Sequence, residues 1–184
     1  MGQKNGNWES WYANFATVPL VIAYNPKSKF ATDLKTKPWP QVVNEPGFTI
    51  GSSDPKLDPK GALSQQALQK VGIPESKVKI FPEEQLLARM STGNLDAAFF
   101  YASEAVDDKL PTVSLGNIHL SAHYTITVLN HAPNTSGGQA FVEYLLSSTG
   151  KALLAKHGLT LTWVSVAGDS QSVPSGLRPV LGLG

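Results

Sequence analysis

The chain has 184 residues, a formal net charge of +1 and no cysteine. This length is enough for one domain or two small lobes with a buried core. The near-neutral charge and the lack of a Lys/Arg-rich run argue against a nucleic-acid partner, and the missing cysteines exclude disulfides, thiolate metal sites and a cysteine nucleophile. No apolar run approaches the roughly 18–20 residues of a membrane span. The polar residues 1–7 lack the apolar core of a signal peptide.

Apolar runs and turn residues alternate along the first half of the chain. Residues 19–24 predict a strand, whereas the aromatic-rich residues 8–15 are compatible with more than one structure. Residues 27–47 are rich in proline and predict a loop with one helical turn near its end. A second strand is predicted at residues 48–51, and residues 62–71 carry apolar side chains at helical spacing up to a terminating glycine.

The second half continues the alternation of strands and helices. Strands are predicted at residues 78–81, 97–101 and 124–129. Helices are predicted from Pro82 to Gly93, from 136 to 146 and from 150 to 157, followed by an extended tail from residue 168. The spacing of these elements predicts an α/β fold with a mainly parallel sheet.

The turn at residues 54–61, with the sequence DPKLDPKG, is the most informative segment. It lies between a predicted strand and a predicted helix, so it places backbone N–H groups and the positive end of the helix dipole at a strand end. Ligands of parallel α/β sheets bind at this edge, where the turn at residues 81–84 and Tyr101 also lie. The segment predicts a site for a small oxyanion, although Asp58 followed by Pro59 is equally the usual start of a helix, with Asp as N-cap.

Three hydroxyl side chains near these turns are candidate donors. Ser52 and Ser53 follow the second strand and can donate to an anion or bond the local backbone, as turn serines often do. Tyr101 ends a strand and can either donate its hydroxyl or serve as a half-buried packing residue.

Nothing in the sequence predicts an enzyme. The acidic residues of the two turns occupy first helical turns, where the helix dipole favours them, and no nucleophile elbow or Ser-His-Asp order accompanies them. His119 and His123 fall on one face of a strand without a clear third ligand nearby. We therefore expect neither a catalytic residue nor a metal site.

Several segments together resemble the molybdate/tungstate-binding proteins of ABC importers, which are periplasmic or lipid-anchored receptors with a two-lobed, type II periplasmic-binding fold. The resemblance spans residues 7–161, and its order and spacing are more specific than any one motif. The matching segments are residues 14–16, 20–24, 51–61, 87–96, 99–103, 141–147, 150 and 157–159.

The resemblance implies a periplasmic-binding-protein-like α/β fold with one near-complete lobe and part of a second. The family's N-terminal strand and Ser-bearing turns would precede Trp8, so we expect the chain to lack the N-terminal part of the first lobe. The implied segments are residues 1–22 (first-lobe remnant and crossover), 23–122 (second lobe), 123–167 (return to the first lobe) and 168–184 (extended tail).

The resemblance also implies which residues bind the ligand. In one branch of the family two carboxylates wrap the metal centre; the first would match Asp58, but the second would fall at Phe100, which cannot ligate. This departure favours a tetrahedral oxyanion held by backbone N–H groups and hydroxyls. The implied ligand-binding residues are Ser53, Asp58, Lys60, Gly61, Glu83 and Tyr101, with Lys60, Gly61 and Glu83 acting through their backbone.

We accordingly expect a solute-binding component of an ABC transporter that binds molybdate or tungstate, needs no cofactor and meets the importer's membrane subunits outside the cytoplasm. The resemblance leaves two alternatives open. One is a truncated fragment without anion affinity that self-associates through its first-lobe remnant, and the other is a related receptor for a different small anion. Because half of the family's anion site is missing, we expect this chain alone to bind weakly or not at all.

Overall fold

A computed structural model describes residues 6–184, which divide into two compact units. The smaller unit consists of the described chain up to Thr17 together with His123–Gly184, and the larger unit is Val18–Ala122. The assignment of these units to lobes, with the boundaries given above, stays a prediction. Residues 1–5 of the predicted first segment lie outside the described residues. Within residues 6–184, no helix combines the length and apolar character needed to cross a membrane.

Within residues 6–184, the two units contain seven strands and seven α-helices. The strands are β1 (Trp11–Tyr24), β2 (Ile50–Ser52), β3 (Val78–Ile80), β4 (Ala97–Tyr101), β5 (Thr112–Ser114), β6 (Ser121–Ile126) and β7 (Thr160–Gly168). The helices are α1 (Ala31–Thr36), α2 (Trp39–Val43), α3 (Pro59–Lys70), α4 (Leu86–Ser91), α5 (Ala102–Asp107), α6 (Thr135–Leu146) and α7 (Ser148–Lys156).

The larger unit is built on a sheet with the strand order β3-β2-β4-β1-β5. Strand β2 runs parallel to β3 and β4, whereas β1 runs antiparallel to β4 and β5. The predicted α/β class is therefore confirmed, but the sheet is mixed and the expectation of a mainly parallel sheet was wrong. Hydrophobic spacing identifies strands without giving their direction, and the reversed direction of β1 is a property of the chain path.

Apolar side chains cover both faces of this sheet. Ile22 and Phe99 are buried in one cluster of core residues, and their neighbours Ala23 and Phe100 are buried in a second cluster with Leu86. Successive residues of a strand point to opposite faces, so the two clusters lie on opposite sides of the sheet. Because both sides of the sheet are buried, the sequence of β4 is a continuous run of apolar residues.

The smaller unit is built around the first part of β1. Strand β7 pairs with it antiparallel, from Trp11 opposite Gly168 to Thr17 opposite Thr160, and β6 pairs with β1 as well. Trp11 packs in a cluster that includes side chains of α6 and of the C-terminal segment. Strand β7 was not predicted, although its β-branched and aromatic residues at 160–167 carry a strand signal.

Residues 168–184 are not the extended tail that their Ser/Gly/Pro content predicts. They form 3₁₀ turns at Ser170–Ser172 and Ser175–Leu177. Val173, Leu177 and Leu181 are buried in the core of the smaller unit. Three apolar side chains spaced four residues apart supply the contacts that order this segment, and composition alone does not reveal them.

Other differences concern the ends and types of elements. Strand β1 starts at Trp11, eight residues earlier than the predicted strand, and β6 starts at Ser121 and ends at Ile126. The segment predicted as a proline-rich loop contains the short helices α1 and α2. The helix predicted to open at Pro82 begins as a 3₁₀ turn, Glu83–Gln85, before α4.

Candidate functional site

A cavity of about 640 Å³ lies in the larger unit, at the N-terminal end of α3. Five of the six predicted ligand-binding residues line it: Ser53, Asp58, Lys60, Glu83 and Tyr101. These residues come from three separate segments of the chain, the turn after β2, the turn after β3 and the end of β4. The structure therefore brings together the two turns and the strand end that the sequence placed at one edge.

The turn between β2 and α3 is held by its own polar groups. Asp54 accepts from the Lys56 N–H through its Oδ1 at 2.8 Å, and its carbonyl accepts from the Asp58 N–H at 2.9 Å. Pro59 occupies the first turn of α3, where its missing N–H and fixed φ are favourable. The DPKLDPKG segment thus sets the position at which α3 begins.

Asp58 is the N-cap of α3 in the structure. Its Oδ1 accepts from the Lys60 N–H at 2.8 Å. The resemblance assigned this N–H to the anion, whereas in the structure it donates to the Asp58 cap. The structure thus shows the plain helix start that the sequence left open, and the roles of Asp58 and the Lys60 backbone in ligand binding stay predictions.

Gly61 lies beside the cavity without lining it. A Cβ built on Gly61 would stand 2.5 Å from the Ser53 carbonyl oxygen and 2.8 Å from the Asp54 carbonyl oxygen. Gly61 instead lines a smaller cavity of about 80 Å³ together with Ser52. Its lack of a side chain lets the first turn of α3 pack directly on the turn after β2.

Two buried serine hydroxyls at the end of β2 lack a hydrogen-bond partner. Within residues 6–184, Ser52 Oγ and Ser53 Oγ are the buried side-chain polar atoms that have no hydrogen-bond partner, and both residues are at most 2% exposed. A buried polar group without a partner costs about 1–3 kcal/mol, so such a group usually meets a water, an ion or a ligand. Ser53 lines the larger cavity, where a ligand oxygen would satisfy its hydroxyl.

The Lys60 side chain, rather than its backbone, is the most prominent group of the site. Lys60 is 1% exposed, and its ammonium Nζ donates to Glu83 Oε1 at 2.9 Å. It also donates to both carboxylate oxygens of Glu104, at 3.0 and 2.9 Å. A buried ammonium needs such partners, because desolvation of an isolated charge is costly.

Two aromatic rings complete the surroundings of the ammonium. Its Nζ lies 5.1 Å from the ring centroid of Phe100 and 5.7 Å from that of Tyr101, within the range of cation–π attraction. Phe100, at the position where the resemblance would place a second carboxylate, thus faces a lysine ammonium.

Glu104 is a residue of the site that the sequence interpretation missed. Glu104 lines the cavity, and its Oε2 accepts from the Tyr101 N–H at 2.9 Å. The same carboxylate therefore holds both the start of α5 and the Lys60 ammonium in place. A glutamate three residues after a helix N-cap is the spacing of a capping box, and this signal could have identified it.

Carboxylates outnumber cations around the cavity. Lys60 is the one basic side chain among the lining residues, against five acidic ones: Asp54, Asp58, Glu83, Glu84 and Glu104. Within residues 6–184, no group of three or more His, Cys, Asp or Glu side chains is arranged to hold a metal ion.

The mixed α/β architecture, with a ligand-sized cavity at a helix N-terminus beyond a strand end, is typical of α/β proteins that bind small molecules. More particularly, the chain belongs to the family described as bacterial extracellular solute-binding protein, whose model matches residues 2–160. This match confirms the family resemblance predicted from the sequence motifs.

Several curated proteins are similar to this chain in sequence. A Haloferax volcanii protein, whose name assigns it to molybdenum binding in an ABC transporter, is 34% identical over 135 residues, with 64% of this chain and 44% of the relative covered. The molybdate/tungstate-binding protein WtpA of Pyrococcus abyssi is 25% identical over 213 residues, with 82% of this chain and 62% of the relative covered. The chain thus spans less than two thirds of the length of these relatives.

Solved structures show the same fold. The periplasmic molybdate-binding protein of Azotobacter vinelandii superposes with a TM-score of 0.68 at 14% identity, covering 88% of this chain and 73% of that protein. The substrate-binding domain of a molybdenum ABC transporter from Clostridium difficile superposes with a TM-score of 0.63 at 18% identity, covering 88% and 71%. At these identities the likeness establishes the fold alone.

Proposed function

We propose that this chain acts as the solute-binding component of an ABC importer and that the cavity beside α3 binds a tetrahedral oxyanion of the molybdate or tungstate type. Family membership and the names of the relatives support the solute-binding role. The same relationship supports a location outside the cytoplasm and the importer's membrane subunits as partners.

The observation that carries the oxyanion proposal is the buried Ser53 hydroxyl, which lacks a partner and lines a cavity at a helix N-terminus. An anionic oxygen would accept its hydrogen and gain from the positive end of the α3 dipole. The Lys60 ammonium supplies the full positive charge that a helix end lacks. Tyr101 lines the same cavity.

Binding would follow from groups that the fold already holds in place. The turn between β2 and α3 is fixed by Asp54 and Asp58, so the Ser53 hydroxyl needs little rearrangement to meet a ligand. The five carboxylates that line the cavity oppose an anion, so we expect a weak affinity for this chain, in the range of about 0.1–1 mM.

Calorimetric titration of the 184-residue chain with molybdate and tungstate at low ionic strength tests this function. We expect saturable binding, weakened by about tenfold in Ser53→Ala, because one hydrogen bond to a charged group is lost. Since Ser53→Ala removes an unpaired buried hydroxyl, its melting temperature should be equal to or above that of the wild type.

Ser91→Ala is the matched control, because the Ser91 hydroxyl bonds the Leu87 carbonyl of its own helix and lies outside the cavity. Parallel titrations with sulfate and phosphate examine the alternative of a receptor for another small anion. The proposal fails if no tetrahedral oxyanion binds saturably, or if Ser53→Ala binds as tightly as the control.

A second candidate function, self-association without anion affinity, is favoured by exposed apolar side chains in the smaller unit. Trp163 on β7 is 93% exposed, and Phe141 and Tyr144 on α6 are more than half exposed. Within the described chain β7 pairs only with β1, so its other edge is open to another strand. These features fit a second copy of this chain as the partner.

Trp163→Ser distinguishes this candidate when its oligomeric state is measured by size-exclusion chromatography with light scattering. We expect the wild type to form dimers or larger species and Trp163→Ser to shift them towards monomers, because burial of a tryptophan supplies much of an interface's stability. Leu57→Ser is the control, since Leu57 is 84% exposed in the other unit. A monomeric wild type would contradict self-association.

A further inference from the structure

The Lys60 ammonium is enclosed by two carboxylates. It makes three contacts of 2.9–3.0 Å, one to Glu83 and two to Glu104, and the Lys60 side chain is 1% exposed. Because almost none of this side chain is open to solvent, we expect an anion that enters the cavity to reach the ammonium only when one of these carboxylates withdraws.

The two carboxylates are not equally held. Glu104 contacts Lys60 through both oxygens, accepts from the Tyr101 N–H and has a side chain that is 30% exposed. Glu83 contacts Lys60 through a single oxygen, and its side chain is 49% exposed. Releasing Glu83 to water costs little, because a half-exposed ion pair contributes little stability, whereas releasing Glu104 would also remove the cap of α5.

We propose that the Glu83 carboxylate occupies the place of the ligand's anionic oxygen and that an oxyanion binds by displacing it from Lys60. This inference rests on the proposed function of the same cavity. It assigns the anion contact to the Lys60 side chain and makes Glu83 the residue that sets anion affinity. Glu83 excludes weakly bound anions, because each ligand must compete with a carboxylate that is already in contact.

The geometry also defines the class of ligand. An oxygen that replaces Glu83 Oε1 must carry negative charge, since a neutral acceptor would exchange a charge-assisted hydrogen bond for a weaker one. Ser53 lines the same cavity and offers its unused hydroxyl to a second oxygen of the ligand. A compact anion with several oxygens meets both requirements.

Titration of Glu83→Gln and Glu84→Gln with molybdate tests the displacement. Both substitutions remove one negative charge from the lining of the cavity, but only Glu83 has a described contact with Lys60, so Glu84→Gln is a matched control for charge. We expect Glu83→Gln to tighten binding by about tenfold or more, because it releases a charged donor. Glu84→Gln should change binding by about threefold or less, because an exposed charge is well screened.

The variant Glu83→Asp distinguishes the effect of releasing Lys60 on molybdate affinity from the effect of removing a negative charge. It keeps the negative charge but shortens the side chain by one methylene, so the carboxylate can no longer reach Lys60 as Glu83 does. Displacement predicts that Glu83→Asp binds molybdate more tightly than the wild type. Thermal melts of all three variants verify that they are folded.

The outcomes distinguish this inference from the proposed function. If the wild type binds but Glu83→Gln and Glu84→Gln have the same affinity, or if Glu83→Asp matches the wild type, displacement is overturned and the oxyanion function stands. If none of the proteins binds molybdate saturably, both the inference and the oxyanion function are overturned.

Discussion

Replacing Lys60 with methionine should lower the free energy of unfolding by about 2–3 kcal/mol and abolish oxyanion binding. Removal of one partner of a buried ion pair leaves the other charge uncompensated, which costs about 3–5 kcal/mol in a fully buried site. The cost is smaller here because the side chains of Glu83 and Glu104 are 49% and 30% exposed, so water can partly solvate them. Urea denaturation of the variant measures the loss.

Lys56→Met is the control for this substitution. Lys56 is an exposed residue of the same turn, and the described contact there is made by its backbone N–H to Asp54. We expect its unfolding free energy to change by less than about 0.5 kcal/mol. Equal effects of Lys60→Met and Lys56→Met would mean that the buried ammonium does not organise the site.

Substitution of Gly61 by alanine should destabilise the chain by about 1–3 kcal/mol, the cost typical of overpacking a close contact. The added Cβ would stand 2.5–2.8 Å from backbone atoms of Ser53 and Asp54, which cannot rotate away as a flexible side chain would. The first turn of α3 must therefore move away from the turn after β2. Because Ser53 and Lys60 are positioned by this packing, molybdate binding should weaken in the same variant.

Gly138→Ala provides the comparison for a helical glycine without such a constraint. Its Cβ would be 3.3 Å from a methyl group of Val128, a side chain that can adjust. We expect Gly138→Ala to be neutral or stabilising, by up to about 1 kcal/mol, because alanine has the higher helix propensity. Denaturant midpoints of both variants decide the matter, and equal midpoints would contradict the role assigned to Gly61.

The two substitutions with the largest expected effects fall within the first turn of α3. Lys60 and Gly61 are adjacent in sequence but have different roles: Lys60 brings a buried charge to the cavity, and Gly61 lets α3 approach the turn after β2 closely. Asp58 stabilises the start of the same helix by capping the Lys60 N–H. The stability of this turn and the chemistry of the site thus depend on the same few residues.

Several features of the fold were predictable because they depend on short-range patterns. The apolar run of β4, the periodic helix α3 and its Asp-Pro start follow from burial, periodicity and capping within a few residues. Strand β7, the mixed sheet and the ordered segment at residues 168–184 were missed or wrong. The strand directions of the mixed sheet and the packing of residues 168–184 depend on contacts between residues far apart in the chain, which local patterns do not contain. Strand β7, in contrast, carries a strand signal in its own residues that the sequence interpretation overlooked.

By itself, the sequence determined that this chain is an α/β protein in which the turn at residues 54–61 starts a helix, because turn chemistry and capping are local. It also determined the family, through the order of its motifs. Only the tertiary structure decided which groups face the cavity. The Lys60 N–H is taken by Asp58, and the Lys60 ammonium is held by Glu83 and by Glu104, which lies 44 residues away in sequence. A buried charge finds its partners in space, so its role is settled by packing and desolvation rather than by its neighbours in the chain.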